Sequence, residues 1–377
     1  MSSFHMSSFA ISALLLIAYT YAGYPLLVAA WAVLLPYRLR TTDAFEPTIS
    51  ICMAVFNGGS WLEAKLRCLQ QSEYPSGKIA ILVCSDGSTD DTARIVERLA
   101  ASDPRIVLLE NRARLGKPAS LNRLRQAAEG DVLLMTDVRQ IFAPGTLRAL
   151  IQPLSDPLVG CVSGRLVLAG KHGAGAYWRY ERLIRSSEGR IGSMVGVSGS
   201  IYALWRRDLP HLPEDLILDD MFVPLRIALS KRHVVFCEQA EAYDETLDDE
   251  HEFARKVRTL AGNYQLLAKM PSLLIPGTRV WFHMMSHKLL RLVCPFALLL
   301  LFVMSLGIAF APPPDVSLSQ LFFWRVLAYA QIAFYALALV GGRAGRVAGL
   351  MRTFVVLNAA AIVGLWRFLR KTQAVTW

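Results

Sequence analysis

The chain has 377 residues, of which 54% are hydrophobic and 19% are charged, and its mean hydropathy is +0.36. Soluble domains carry about 25% charged residues, so this composition excludes an ordinary soluble protein, and the apolar content excludes intrinsic disorder. The formal net charge of +10 indicates basic residues that flank membrane segments on the cytoplasmic side, and we expect no nucleic-acid partner.

The first predicted element is a membrane-spanning helix near the N-terminus. Ile11–Leu35 carries no charge over 25 positions, which exceeds the roughly 20 residues needed to span the hydrocarbon core. A cleaved signal peptide is the alternative, because Ala30–Ala32 imitates a cleavage site. Arg38 and Arg40 follow and predict that the chain continues on the cytoplasmic side.

Short apolar strands then alternate with helical patterns. This alternation predicts an α/β domain with a mainly parallel sheet and helical crossovers, in which ligands bind beyond the carboxyl ends of the strands. Polar clusters follow three of these strands, at Phe56–Asn57, Asp86–Ser88 and Asp137–Arg139. Each cluster alone is ordinary turn chemistry, but three on one edge predict a ligand site. The predicted strands are Thr48–Val55, Ile79–Cys84, Ile106–Leu109 and Val132–Met135, and the helices are Trp61–Leu69, Thr92–Ala100 and Lys117–Ala128.

The C-terminal part of the sequence is predicted to contain further membrane helices. Arg279–Leu290 mixes apolar and basic residues, which fits an amphipathic helix on the membrane surface; a helix that leads directly into the next span is the alternative. Leu292–Ala311 and Leu321–Gly342 are long enough to span a bilayer. Thr353–Trp366 has only 14 residues, and the sequence leaves its placement open.

A series of short motifs adds a family resemblance. In order and spacing these motifs resemble those of the membrane-bound family 2 glycosyltransferases, which are inverting enzymes with a GT-A fold, and the resemblance covers about residues 46–290. It implies an N-terminal transmembrane helix at residues 1–40, a cytosolic GT-A domain at 46–270, an interface helix at 271–291 and C-terminal transmembrane helices at 292–377. The motifs are Ala54–Asn57, Ser85–Thr92, Gly116–Asn122, Thr136–Arg139, Val197–Ala203, Leu218–Asp220, Arg255–Thr259 and Ser286–Lys288.

The resemblance implies that residues at two strand ends bind a nucleotide-sugar donor, with a UDP-sugar as the expected class: Phe56, Asn57, Asp86 and Gly87. Asp86 would accept hydrogen bonds from the base or ribose, and Gly87 lets the chain turn close to the ligand. The alternative for Asp86 is a helix-capping side chain without a ligand. Lys117 is expected to face the diphosphate as a point charge, unless it is a solvated surface lysine.

The DxD motif, which in the family holds a divalent ion on the donor diphosphate, is altered here. Asp137 matches the first aspartate, but Arg139 stands at the second position, and arginine stays protonated and cannot ligate a metal. Two interpretations are open. Either Asp137 binds Mg²⁺ or Mn²⁺ with water and phosphate oxygens, which we favour, or Arg139 pairs with the diphosphate and takes over part of the charge neutralisation.

The resemblance assigns the catalytic base to Asp220, with Asp219 as its partner acid. The acceptor hydroxyl must lose a proton as it attacks the anomeric carbon, and a carboxylate within hydrogen-bonding reach can accept that proton. Adjacent carboxylates can raise the pKa of one of them, and a single displacement inverts the centre. Two acids at a helix start are the structural alternative. Ser198, Gly199 and Ser200 resemble the small residues that line the acceptor site.

The segment with Arg255 and Arg258 matches the family's QxxRW-type segment in position. The resemblance implies that both arginines bind the donor, and Arg258 suits the diphosphate because a guanidinium fork fits phosphate oxygens. Thr259 replaces the tryptophan that stacks under the acceptor sugar in polymerising members, which counts against processive synthesis. A basic amphipathic helix on the membrane is the alternative for this segment.

The resemblance therefore implies an inverting hexosyltransferase with a lipid-linked or polysaccharide acceptor at the cytoplasmic face of a bacterial inner membrane. Membrane lipid and other polysaccharide-assembly proteins are the expected further partners. A processive synthase of the hyaluronan, chitin or cellulose type is one alternative, and Arg139 keeps open an inactive relative that serves as an assembly partner. A transporter is disfavoured because the long apolar segments contain almost no polar residues.

Overall fold

The computed structural model describes residues 3–42, 44–169, 174–192, 194–245, 249–278 and 280–375. At its centre lies a sheet of eight strands. The strands, in chain order, are β1 Ile49–Val55, β2 Ile79–Asp86, β3 Ile106–Asn111, β4 Val132–Thr136, β5 Ile141–Phe142, β6 Val159–Ala169, β7 Ile201–Trp205 and β8 His233–Glu245.

One half of the sheet is parallel and the other half is mixed. The order across the sheet is β3-β2-β1-β4-β7-β6-β8-β5, and β1 runs parallel to β2 and β4, as β2 does to β3. β7 is antiparallel to β4 and β6, and β8 is parallel to β6 but antiparallel to β5. The predicted α/β class with a mostly parallel sheet is confirmed, and the carboxyl ends of β1, β2 and β4 meet at one edge.

Helices cover the sheet and form the apolar remainder of the described chain. They are α1 Ser3–Ala18, α2 Tyr24–Leu34, α3 Gly59–Gln70, α4 Thr92–Ala100, α5 Lys117–Ala127, α6 Thr146–Ile151, α7 Ala174–Arg190, α8 Asp219–Leu229, α9 Asp249–Lys269, α10 Trp281–His283, α11 Leu290–Phe310, α12 Leu318–Val340 and α13 Arg346–Arg370. The π-helical segments Tyr19–Gly23 and Met284–Leu289 join α1 to α2 and α10 to α11.

Alternation along the strands directs side chains to two cores, one on each face of the sheet. Ile49 and Ile51 of β1 share an apolar cluster with Leu62 of α3, whereas Cys52, the residue after Ile51, belongs to a second cluster with Leu121 of α5. Every residue of β1 is buried, as expected for a strand covered on both faces. Each fully buried leucine or isoleucine contributes about 1.5–3 kcal/mol relative to an exposed one.

Several helical runs outside the sheet are apolar enough to cross a membrane, judged by length and composition. The predicted span Ile11–Leu35 overlaps the first of these runs, and Leu292–Ala311 and Leu321–Gly342 overlap the second and third. This observation fits a membrane protein, as the composition indicates. The four runs among the described residues are His5–Leu34, Trp281–Phe310, Leu318–Ala344 and Arg346–Arg370.

Two C-terminal segments differ from the elements that the sequence suggests. Thr353–Trp366, whose placement the sequence leaves open, lies inside the 25-residue helix α13. The expected boundary of the interface helix at residue 291 falls inside the run Trp281–Phe310. His283 and His287 in this run are buried in the protein, so they do not face a membrane surface. A helix that leads directly into the next apolar segment describes these residues better.

An apolar helix packs directly on the helix that carries the predicted arginines. A Cβ atom at Gly364 of α13 would lie 2.9 Å from the amide nitrogen of Ala261 in α9, so glycine permits this close approach. Tyr264 of α9 stacks on Phe368 of α13, with ring centroids 6.1 Å apart. The contact places a candidate membrane helix beside the predicted site.

Candidate active site

Asp86, at the end of β2, is held entirely by the protein. Its side chain is fully buried, and its Oδ1 accepts hydrogen bonds from Asn111 Nδ2 and Leu115 N, both at 2.9 Å. Its Oδ2 accepts one from Gly116 N at 2.8 Å. The donor contact predicted for Asp86 stays a prediction. In the structure the carboxylate fastens the loop that leads into α5, which carries Lys117 at its start.

The other predicted donor residues of this rim are also bonded to neighbouring loops. Gly87 has φ +67°, and a Cβ there would lie 2.6 Å from the backbone of Ala113, so the glycine serves loop packing. The Phe56 ring lies 3.8 Å from the guanidinium of Arg114, a cation–π contact. Asn57 Oδ1 accepts a hydrogen bond from Thr89 N at 2.8 Å. Together these contacts fix the ends of β1 and β2.

A cavity of about 690 Å³ opens next to the carboxyl end of β4. Phe56, Asn57, Asp86 and Gly87 do not line it. Most of the other predicted site residues do, although they come from distant parts of the chain. Those brought together in its wall are Lys117, Asp137, Ser198, Gly199, Ser200, Asp219, Asp220, Arg255 and Arg258.

Lys117 lies among the carboxylates of this cavity. Its Nζ is 3.0 Å from Asp137 Oδ1 and 3.6 Å from Asp219 Oδ2. Burial disfavours its charge, but Asp137, Asp219 and Asp220 outweigh that effect and raise the pKa of Lys117 above its usual value. Lys117 is thus a charged lysine that is mostly enclosed, and it is not a solvated surface side chain.

Asp219 and Asp220 form the first turn of α8, where the helix dipole favours negative charge. Burial raises the pKa of Asp220 to about 6, and the charge of Asp219 adds to this shift, while Lys117 opposes it. A Cβ at Gly199 would lie 3.3 Å from the Asp220 carboxylate, so the glycine keeps the space beside this group small but open. A carboxylate that titrates near neutral pH beside open space is suited to accept a proton.

The Ser198–Ser200 stretch is fastened on two sides. Ser198 N donates to Ser163 Oγ at 3.0 Å, and the hydroxyls of Ser198 and Ser200 lie 3.0 Å apart. The Ser200 carbonyl accepts a hydrogen bond from Thr136 Oγ1 at 2.9 Å. These bonds couple the predicted acceptor stretch to the end of β4, immediately before Asp137.

Arg139 does not face the cavity as a free cation. Its guanidinium donates to Asp244 Oδ1 at 2.9 Å, and Gln140 Nε2 donates to Asp244 Oδ2 at 2.7 Å. Asp244 belongs to β8, so the second position of the altered DxD motif is tied to the sheet. The interpretation in which Arg139 pairs with the diphosphate would require this ion pair to break.

Asp137 is the acidic group best placed to anchor a divalent ion. Its side chain is 41% exposed, and the contact to Lys117 uses only Oδ1. In the described part of the chain, no group of three or more His, Cys, Asp or Glu side chains is arranged to hold a metal. The residues present therefore fit an ion that takes one carboxylate oxygen from the protein and its other ligands from phosphate and water, a common arrangement for Mg²⁺.

The arginines of α9 reach the same cavity. Arg258 makes only long hydrogen bonds, at 3.4 Å to the carbonyls of Ile217 and Val375, and its Nε is buried without a partner among the described residues. Thr259 also lines the wall. Arg258 therefore retains donor capacity for an anionic ligand, and no aromatic side chain occupies the Thr259 position.

Lys65 is a residue near the site that the motifs do not reveal. It is fully buried in α3, and its Nζ donates to Thr136 Oγ1 at 2.9 Å and to the Gln140 carbonyl at 2.6 Å. Burial lowers its pKa to about 7. It thereby clamps the two ends of the loop that carries Asp137. The sequence does contain a signal, because a lysine interrupts the apolar stripe that begins at Leu62.

The site also contains two cations to which the sequence assigns no role. Arg185 of α7 and Lys288 of the second π-helical segment line the cavity, together with Tyr21, Phe354 and Leu357 of the candidate membrane helices. Arg185 belongs to none of the motifs and lies in a helix with several other charged residues, so the sequence does not indicate its role. Only the fold brings these groups to the predicted base.

Comparisons with known proteins agree with this geometry. Residues 50–203 match the sequence model of glycosyl transferase family 2. An N-acetylglucosaminyltransferase from Bradyrhizobium elkanii is 26% identical over 136 residues, which cover 36% of this chain and 74% of that protein. A beta-monoglucosyldiacylglycerol synthase from Nostoc is 23% identical over 198 residues, 49% of this chain and 42% of that protein.

The remaining comparisons concern length and fold. An uncharacterised protein of Mycobacterium tuberculosis is 31% identical over 115 residues, 30% of this chain, and the matched part spans only 35% of its length. A mannosyltransferase from Pyrobaculum calidifontis, solved with GDP-Man and Mn²⁺, superposes with a TM-score of 0.76 at 22% identity, over 97% of this chain and 99% of that one. The chain therefore has a GT-A fold, its residues 50–203 are similar to glycosyl transferase family 2, and several of its helices are apolar enough to span a membrane.

Proposed function

We propose that this enzyme moves a hexose from a nucleotide sugar, with a UDP-sugar as the expected donor, to a lipid-linked or polysaccharide acceptor at the cytoplasmic face of a membrane. The observation that supports this proposal is the shared cavity. Its wall contains Asp220, a carboxylate with a pKa near 6, beside the cation Lys117. The same wall includes residues of the apolar helices, such as Phe354 and Leu357.

The chemistry is a single displacement at the anomeric carbon. The acceptor hydroxyl gives its proton to the Asp220 carboxylate while its oxygen bonds to the anomeric carbon, and the bond to the diphosphate oxygen breaks. The nucleoside diphosphate leaves with the bonding electron pair, and the centre is inverted. Lys117 and Arg258 stabilise the negative charge that grows on the leaving group.

Asp137 would hold a divalent ion, Mg²⁺ or Mn²⁺, which supplies charge neutralisation at the diphosphate when bound. The ammonium of Lys117 lies 3.0 Å from Oδ1 of the same carboxylate and adds a fixed positive charge. Lys65 stabilises the loop that carries Asp137, because its Nζ donates hydrogen bonds to Thr136 Oγ1 and to the Gln140 carbonyl. The chain's own residues therefore provide both an anchor for the ion and a cation independent of it.

The acceptor is more consistent with a lipid-linked molecule than with a free polysaccharide. Tyr21, Thr353, Phe354 and Leu357 belong to candidate membrane helices and line the cavity that contains Asp220. A lipid carrier can reach such a wall from the bilayer, whereas a soluble glycan has no need of one. Thr259 in the same wall offers no aromatic platform for a growing chain, which favours single transfer.

The direct test uses the purified full chain in detergent with a panel of nucleotide sugars and short-chain lipid-linked saccharides. We expect nucleoside diphosphate release and a product extended by one sugar. Asp220→Asn should abolish transfer, while Asp215→Asn, at an exposed carboxylate paired with Lys269, should not. Transfer by the Asp220→Asn variant at the wild-type rate would refute the assigned base, and the absence of any transfer in the wild-type protein would refute the function.

A further inference from the structure

Two cations in the cavity wall form no close ion pair with the residues that the structure describes. Arg185 and Lys288 make neither a hydrogen bond nor an ion pair within 4 Å to any residue that the structure describes, although both line the cavity. The neighbouring Arg291 is different, because it is paired with Glu181. Lys117 is also different, because Asp137 neutralises it.

The carboxylates near these two cations are already engaged. Glu181 is shared between Arg291 and His287. Glu188 accepts hydrogen bonds from Tyr24 Oη at 2.6 Å and pairs with His287 Nδ1 at 2.7 Å. Within the described ranges, Glu181 and Glu188 are therefore not available to pair with Arg185 or Lys288, and half-buried charges without a close partner are unfavourable unless a ligand supplies one.

The location of the pair distinguishes it from the donor end of the cavity. Lys117 and Asp137 lie at the end of β4, where we place the diphosphate. Lys288 lies in the helical run Trp281–Phe310, and Tyr21 and Phe354 of other apolar helices line the same wall. Arg185 nevertheless acts on the predicted base, since its charge opposes the rise in the pKa of Asp220. The pair thus lines the same cavity as the predicted base and as residues of the apolar helices.

We propose that Arg185 and Lys288 bind the phosphate of a lipid-linked acceptor whose hydrocarbon chain lies along Tyr21, Phe354 and Leu357. This inference rests on the proposed function, because it specifies the acceptor class of the same site. A guanidinium offers phosphate two parallel donors and an ammonium offers a point charge. The phosphate is recognised and not attacked: Asp220 is placed to remove a proton, which a saccharide hydroxyl carries and an ionised phosphate oxygen lacks.

The test measures binding of farnesyl phosphate to the full-length protein in detergent, with farnesol as the neutral probe and inorganic phosphate as the soluble one. We expect farnesyl phosphate to bind at least about tenfold more tightly than farnesol, and millimolar inorganic phosphate not to displace it. Arg185→Gln and Lys288→Gln should each weaken farnesyl phosphate binding about tenfold and leave farnesol binding unchanged. Arg182→Gln, at an exposed position of α7 outside the cavity wall, should bind like the wild type.

Several results would overturn the proposal. Equal affinity for farnesol and farnesyl phosphate would remove the phosphate subsite, and displacement by inorganic phosphate would identify a site for the free ion. Displacement of farnesyl phosphate by a nucleoside diphosphate would assign the pair to the donor. If Arg185→Gln does not fold, Arg185→Lys is the substitute, because it keeps the positive charge and should retain most of the farnesyl phosphate binding. A folded Arg185→Lys protein that loses as much binding as the neutral variant Lys288→Gln would also contradict the proposal.

The outcome is separable from that of the proposed function. Donor hydrolysis, read as nucleoside diphosphate release without acceptor, does not need this phosphate subsite. We expect Lys288→Gln to keep the wild-type donor KM while its KM for a lipid-linked acceptor rises. A wild-type protein that binds farnesyl phosphate but uses no nucleotide sugar would refute the function and leave the subsite in place.

Discussion

Asp86 and Asp220 both lie at the carboxyl edge of the sheet, but their carboxylates have different surroundings. At β2, both oxygens of Asp86 are occupied by Asn111, Leu115 and Gly116. At α8, Asp220 lies beside an open cavity with a pKa raised to about 6 by burial and by Asp219.

The difference lies in where the compensating groups come from. Two backbone N–H groups and the Asn111 side-chain amide donate to Asp86, and such bonds hold a loop in place. The charge of Asp220 is only partly compensated. Burial and the charge of Asp219 raise its pKa, although Lys117, Arg185 and Arg258 oppose this rise. An aspartate in a motif is available for chemistry only where its carboxylate is not fully occupied by other groups of the protein. The following variants test this contrast.

The largest expected effect is that of Asp220→Asn. Loss of a general base lowers kcat by about 10²–10⁴, while donor affinity should stay within a factor of about two, because the carboxylate does not hold the diphosphate. The melting temperature should not fall, since a repulsion with Asp219 is removed. Kinetics, donor titration and thermal melting of the same preparation check all three. A loss of kcat that merely follows a loss of folding would break the contrast with Asp86.

The next effect concerns the ion anchored by Asp137. Chelation with EDTA, or Asp137→Asn, should lower kcat by about 10²–10³, the range for a lost electrostatic stabiliser. Added Mn²⁺ or Mg²⁺ should restore the chelated wild type but not the variant. Full activity in EDTA would show that Lys117 and Arg258 neutralise the leaving group without a metal.

Asp86→Asn should act on stability more than on chemistry. The new amide points an N–H group toward backbone donors such as Gly116 N, and each buried donor left unsatisfied costs about 1–3 kcal/mol. We expect a lower melting temperature and a decrease in kcat much smaller than that of Asp220→Asn, which comes from poorer placement of Lys117. A stable Asp86→Asn protein that has lost donor binding altogether would restore Asp86 as a direct ligand contact.

The smallest expected effect is on the pH dependence of stability, and it tests whether Lys65 is buried as a neutral lysine beside the loop that carries Asp137. Its pKa in the folded state, about 7, lies below the ordinary lysine value of 10.5, so between these values the unfolded chain binds more protons. Stability therefore rises with pH across this window, by at most about 1.4 kcal/mol per pH unit. Lys65→Met should lack this rise when melting is compared at pH 7 and pH 9.5. The same slope in both proteins would refute the buried neutral lysine.

The regular elements follow from local patterns in the sequence. The predicted helix Thr92–Ala100 has the same bounds in the structure, and the strand predicted at Val132–Met135 extends by one residue to Thr136. Apolar runs of this length, separated by turns, determine a doubly covered sheet almost by themselves. The motif spacing then indicates the family resemblance, and with it nine of the residues that line the cavity.

The partners of individual side chains could not be predicted in the same way. Whether Asp86 faces a ligand depends on Asn111 and Gly116, which lie 25 and 30 residues further along the chain. Arg139 is neutralised by Asp244, 105 residues away, and no local pattern indicates that pair. Arg185 belongs to no motif at all, so its position beside Asp220 emerges only from the folded chain.

The central claim is that Asp220 removes the proton and that Asp219 tunes it, and the pH dependence of kcat tests this most directly. In the wild type, kcat should fall below about pH 6, because protonated Asp220 cannot accept the acceptor proton. In Asp219→Asn the like charge is gone, so the pKa of Asp220 drops and the acidic limb should move to lower pH. An acidic limb that stays in place, or moves to higher pH, would contradict the account.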